Sequence, residues 1–196
     1  MGEAMTTTGP AGIETEAVET AAEDLRLGRI VLIDDPLRPE RGGILAASGE
    51  RINDDVINFM ATWGRSIVAT ALSPGRVDRL GLDLQGPWTD GLDRENFLTS
   101  IEARDGVTTG ISANDRALTV RATATESTRP EDLSRPGHIF PTRGAQGGLI
   151  SREGWTEACL DLARSTTVHA MSHVTGGGLA ANLERVMPEE LSATIE

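Results

Sequence analysis

Two short apolar runs, "RIVLI" at residues 29–33 and "SIVATAL" at residues 66–72, constrain the fold more than any other feature. Each is aliphatic and β-branched and is bounded by turn-forming or charged residues, the pattern of a buried strand. Around them the apolar spacing changes. Ile13, Ala17, Ala21 and Leu25 recur at helical intervals with acids between them, and Gly28 ends the pattern. "NDDVINFMATWG" at residues 53–64 opens on Asn53, a good N-cap, and reads as a helix. Buried strands mixed with amphipathic helices give an α+β or α/β chain, a mixed sheet covered by flanking helices.

The remaining segments follow the same logic. "GGILAASG" reads as a short strand and turn, "SPGRVDRLGL" as a turn and short helix, and "FLTSIEA" at residues 97–103 alternates like a strand. "QGPWTDGLDREN" reads as a loop. "SANDRALTVRATA" is a helix capped by Ser112 or Asn114, and "WTEACLDLARS" is another helix. Residues 127–154 are rich in Pro, Gly and Arg and read as one long irregular segment, a kind often used for function. The sequence thus divides into a polar, disordered tail at residues 1–12, a domain at residues 13–164, and a strand, glycine turn and helix at residues 165–196 that complete the same domain. At 196 residues a single domain is expected.

Composition removes several chemistries. All 18 basic residues are arginine and lysine is absent, which excludes lysine Schiff bases and a Walker phosphate loop. Tyrosine is absent too, so no phenol can act as an acid. The net charge of -12 argues against a nucleic-acid partner, although a local arginine cluster can still hold a small anionic substrate. Cys159 is the single cysteine and reads as a buried core thiol in a reducing compartment. No apolar run approaches a membrane span and the first residues do not form a secretion signal, so no membrane partner and a cytoplasmic location are expected.

Two segments are dense in specific residues: "DGVTTGISANDRALTVRA" at residues 105–122 and "RPGHIFPTRGAQGGLISREGWTEACLDLAR" at residues 135–164. With "LGRIVLIDD" they resemble the 3,4-dihydroxy-2-butanone 4-phosphate synthase family of riboflavin biosynthesis. The resemblance implies a homodimer with active sites made by both subunits. It implies conversion of ribulose 5-phosphate to a four-carbon ketone phosphate and formate. It also implies Mg²⁺, held by a glutamate of an acidic loop and by a histidine. Enolisation and loss of formate both develop oxyanions, which a metal can stabilise.

In this sequence the acidic loop reads "DDPLRPERGG" at residues 34–43. By the resemblance, Arg38 stands at a substrate-contacting arginine and Pro39 at the metal-binding glutamate. Arg41 replaces a second acid, and Gly43 replaces an aspartate expected to handle a proton. Trp155 stands at the metal-binding histidine. Trp63 and Ala69 replace a histidine and a cysteine. Proline and tryptophan offer Mg²⁺ no oxygen ligand, so loss of the metal and no cofactor are expected. Arg152 and Thr156 match the family's phosphate grip, and a guanidinium and hydroxyl beside a helix start are a sound anion site in their own right. The bland alternative is a surface arginine and a cap threonine. Thr108, Thr109, Ser112, Asp115 and Arg116 match a segment that lines or supports the pocket, or else serve as turn and cap residues. His138 matches a family histidine.

The end of the chain departs from the family. His173 falls near the place of a family acid, and "HVTGGGLAANLERVMPEELSATI" resembles a segment of aminoimidazole ribonucleotide synthetase. Three functions are open on these grounds. One is a diverged, metal-independent enzyme on a small phosphorylated or polyhydroxy keto substrate, with His138, His173, Glu40 and Glu157 as acid–base groups and Arg38 and Arg152 holding anionic oxygen. The others are the authentic synthase and a non-catalytic small-molecule-binding protein.

Overall fold

The computed structural model describes residues 15–35, 38–92, 94–165 and 171–175. Among the described residues five helices and six strands follow one another: α1 (Thr15–Arg26), β1 (Val31–Ile33), β2 (Ile44–Ser48), α2 (Asp54–Gly64), β3 (Ile67–Leu72), α3 (Pro74–Leu80), β4 (Ile101–Ala103), α4 (Ala113–Ala124), β5 (Leu133–Arg143), α5 (Trp155–Arg164) and β6 (Met171–Thr175). The strands form one mixed sheet in the order β1-β2-β6-β3-β5-β4. Only β3 and β5 run parallel; the other neighbours are antiparallel.

Both faces of the sheet are covered. Strand side chains alternate between the faces with a period of two, and β2 shows this directly. Leu45 and Ala47 join a core with Ile57 and Met60 of α2, Val77 and Leu80 of α3, and Val120 of α4. Ile44 and Ala46 join the opposite core with Leu25 of α1 and Trp155, Cys159 and Leu160 of α5. Full burial of each Leu or Ile contributes about 1.5–3 kcal/mol, so both layers are integral to the fold. The α+β fold class agrees with the structure, as does the cap of α2, where Asn53 accepts Val56 N–H at 2.9 Å. Ser112, not Asn114, caps α4.

Two expectations need correction. Residues 127–154 are not irregular throughout, because they contain β5, the longest strand described. Its proline and glycine content hid it. Pro136 follows a cis peptide bond, and Gly137 lies so close to β4 that a Cβ there would sit 2.1 Å from the Ile101 carbonyl group. The pairing shifts register at this point, between Ile101 and Glu102, as a bulge does. The strand expected at residues 97–103 is regular only over Ile101–Ala103; Phe97 and Leu98 make isolated bridges to Thr142 and Leu84. The tail at residues 1–12 and the glycine turn and helix expected after β6 lie outside the described residues.

Candidate active site

Helix α5 begins where three remote segments meet. Its N-cap is Gly154, which has no side chain to accept the free amides of the first turn. Glu95, from the loop before β4, fills that role. Its Oε1 accepts Trp155 N–H at 3.3 Å, and its Oε2 accepts Thr156 Oγ1 at 2.6 Å and Arg152 Nη1 at 3.3 Å. Arg152 Nη1 also donates to Glu157 Oε2 at 2.8 Å, while Nη2 donates to the Gly91 and Arg94 carbonyls at 3.0 and 2.7 Å. Glu157 Oε1 accepts Ala145 N–H at 2.7 Å. Thr156 Oγ1 lies 2.9 Å from Thr142 Oγ1 of β5. All these side chains are buried. Glycine is required at position 154, since a Cβ would come within 2.0 Å of Arg152 Nη1 and 2.3 Å of Glu157 Oε2. Cys159 lies one turn further on. Burial pushes its thiol pKa far up, and the charges of Glu95 and Glu157 add to this, so it is an inert core thiol.

The loop at residues 34–43 closes over the same helix start. Residues Pro39–Arg41 form a 3₁₀ turn. Arg38 pairs with Asp35 at 2.9 Å and with Glu153. Arg41 bonds Asp35 at 3.5 Å and the Glu153 carbonyl at 3.1 Å, and its guanidinium lies 4.7 Å above the Trp155 ring. Glu40 points to solvent. Thus Arg38, Glu40, Arg152, Trp155, Thr156 and Glu157 do gather in one region. Arg152 is buried, so the surface-arginine alternative fails, and Thr156 is the second helical residue rather than the cap.

The other candidates gather elsewhere. His138 of β5 precedes Thr142 by four residues, about 13 Å along a strand. Its Nδ1 lies 3.4 Å from Glu102 Oε1 on β4. Gly110, at φ +78°, rests against that carboxylate so closely that no Cβ could be accommodated. The loop carrying Gly110 is tied to buried Asp115, whose Oδ2 accepts Thr108 N–H at 3.1 Å, Thr108 Oγ1 at 2.9 Å and Gly110 N–H at 3.0 Å. Burial pushes the Asp115 pKa up, but the bonds from Thr108, Gly110 and Ser112 outweigh it and hold the carboxyl below its usual range. Ser112 caps α4 by accepting Asp115 N–H at 3.0 Å, and Thr109 is exposed on the loop. Burial lowers the pKa of Arg116, and its Nε has no hydrogen-bond partner among the described residues.

His173 sits in the middle of the sheet, opposite Ala46 and Ala69; its side chain lies outside the described residues. Sequence reasoning missed Glu95 and Glu102. An acid inside the alternating run "FLTSIEA" was a signal for Glu102; nothing local marked Glu95, whose partners lie some sixty residues away. Among the described residues no group of three or more His, Cys, Asp or Glu side chains could hold a metal.

A profile of the 3,4-dihydroxy-2-butanone 4-phosphate synthase family matches residues 19–185. The chain belongs to that family. It is 42% identical to the riboflavin biosynthesis protein RibBA of Aquifex aeolicus over 75% of its own length and 37% of that protein's. It is 40% identical to a 3,4-dihydroxy-2-butanone 4-phosphate synthase of Neisseria meningitidis over 72% of this chain and 39% of the relative. The chain therefore spans about two fifths of these relatives. A solved synthase in complex with two magnesium ions superposes with a TM-score of 0.76 at 26% identity, covering 86% of this chain and 88% of that one. RibBX of A. baumannii, a two-domain synthase, gives 0.76 at 35% identity over 86% of this chain and 52% of its own. Magnesium is thus seen in a relative. No helix among the described residues is long and apolar enough to cross a membrane.

Proposed function

We propose that the chain is a lyase-type enzyme of this family that enolises a small polyhydroxy ketone. The observation that carries this reading is the His138–Glu102 pair beside the family loop at residues 105–112. A carboxylate beside one ring nitrogen orients the imidazole and leaves the other nitrogen to act as a base. His138 would take the proton from the carbon next to the ketone, and the electron pair would move onto the carbonyl oxygen. The Arg38 and Arg41 guanidiniums are the cations fitted to hold that oxygen. His138 and these arginines stand apart in one chain, so a homodimer that sets one subunit's His138 edge against its partner's arginine loop would complete the site.

The substrate has two readings. Relatives at 40–42% identity support the family's own reaction, from ribulose 5-phosphate to dihydroxybutanone phosphate and formate. The donor chemistry supports a diverged, metal-independent member. Pro39 and Trp155 occupy the two positions that the resemblance gives to metal ligands, the neighbouring carboxylates Asp35 and Glu153 are paired with Arg38 and Arg41, and a guanidinium already covers the Trp155 ring. Mg²⁺ requires oxygen ligands in near-octahedral array, and these residues do not fit it. Formate release separates the readings. Turnover of ribulose 5-phosphate that a chelator abolishes and Mg²⁺ restores identifies the authentic synthase. Turnover that a chelator leaves unchanged identifies the diverged enzyme. No formate from any four- to six-carbon ketose, free or phosphorylated, sinks the lyase reading in favour of a binding protein.

A further inference from the structure

We propose that Glu95 determines specificity: its carboxylate fills the anion cradle at the start of α5 from within, so the site selects a substrate without a phosphate at that end. The proposal names a substrate class for the enzyme argued above and rests on that reading.

The cradle has three kinds of anion donor on converging elements. These are the Trp155 amide at a helix N-terminus, the Thr156 hydroxyl, and the Arg152 guanidinium. One carboxylate takes bonds from all three. Both terminal nitrogens of the arginine are already taken. Its terminal nitrogens are engaged by Glu95, Glu157 and two backbone carbonyls, its side chain is fully buried, and its Nε is enclosed with no partner among the described residues. Charge points the same way. One guanidinium already faces two carboxylates, those of Glu95 and Glu157. A phosphate dianion at this place would meet two like charges in a dry site, where repulsion is little screened. It could enter only if the segment carrying Glu95 withdrew and released the Gly91 and Arg94 carbonyls from Arg152.

A neutral hydroxyl faces no such repulsion, which favours a free ketose or polyol over its phosphate ester. Glu95 also caps α5, so a purely structural role must be separated from specificity. Binding of inorganic phosphate does this without reference to turnover. Titration calorimetry of the wild-type protein is expected to show no saturable phosphate binding in the millimolar range. Glu95→Gln keeps the size and most of the hydrogen bonds but removes the charge, and should bind phosphate roughly tenfold or more tightly than wild type. Glu95→Ala, which opens the cradle fully, should do the same and serves if the glutamine variant does not fold. A structural cap alone would lose stability in these variants without gaining affinity for phosphate. Saturable binding by wild type, with the Trp155 amide shifted in NMR spectra, overturns the proposal, as does a folded Glu95 variant that gains none. Either result leaves the ketose reaction standing, because formate release is measured separately.

Discussion

The two regions that carry the candidate residues treat charge in opposite ways. At the start of α5, Glu95, Arg152, Thr156 and Glu157 are buried and mutually bonded. At the β4–β5 edge, the His138 side chain is 42% exposed and leans on one carboxylate, beside an exposed loop held from below by Asp115. The first region is a structural knot, whose members cannot exchange partners without disrupting the helix start. The second is open to solvent and sets an imidazole beside a carboxylate, a pairing suited to moving a proton. Residue type alone cannot tell these apart. Glu157 and His138 were equal as acid–base candidates in the sequence, and it is burial and partners that separate them.

The contrast is broken most severely at Arg152. Arg152→Met removes the cation between two buried carboxylates and strands the Gly91 and Arg94 carbonyls. Breaking a buried pair from one side costs about 3–5 kcal/mol, a large share of a domain's stability. Urea unfolding should show this loss or failure to fold. A change of less than about 1 kcal/mol would mean that the cluster is wetter and looser than its geometry implies.

The reverse behaviour is expected at the edge. His138→Gln should leave the urea midpoint nearly unchanged, as surface substitutions do, while turnover falls roughly a hundredfold, the scale of a lost general base. A variant as active as wild type would remove His138 from the chemistry and, with it, the functional half of the comparison.

The order of these effects also shows what the sequence could reveal. Helices α1, α2, α4 and α5 were legible because their periodicity and caps are local, and β1 and β3 because buried strands are short apolar runs. Strand β5 was not, since its proline and glycine serve a bulge against β4 that no local pattern announces. The site was legible in part. Arg38, Arg152, Trp155 and Thr156 were found together by motif, but not that Arg152 and Thr156 are bound by a carboxylate. Glu95 lies about sixty positions away in a loop without periodicity, and only the tertiary fold brings it there.

Asp115 gives a milder test, on the pH axis. Its folded pKa is depressed, so its contribution to stability is fully present above the ordinary aspartate range and is lost as pH falls through the lower folded value. Protection of the Thr108 and Gly110 amides from hydrogen exchange, taken relative to the intrinsic rate, should therefore fall in wild type only once the pH drops below the ordinary aspartate range. In Asp115→Asn it should be low already at neutral pH, with the start of α5 unaffected. Equal protection in both proteins would mean that the loop is held by something other than this carboxylate.

The smallest effect is expected where the loop at residues 34–43 meets the knot. Arg41 covers the Trp155 ring at 4.7 Å, with its side chain largely buried. A guanidinium over an indole face is worth about 0.5–1 kcal/mol when partly exposed and more when dry. Single substitutions cannot isolate this, because Arg41→Gln also loosens Asp35 and the Glu153 carbonyl, and Trp155→Leu also thins the α5 core. A double-mutant cycle on urea stability removes those separate costs and leaves the coupling. A coupling near 1 kcal/mol ties the arginine loop to the knot, so that Arg41 stands as a fixed cation at the edge of the site. A coupling near zero makes the loop an independent, exchangeable lining, and Arg41 then belongs with the open region rather than the closed one.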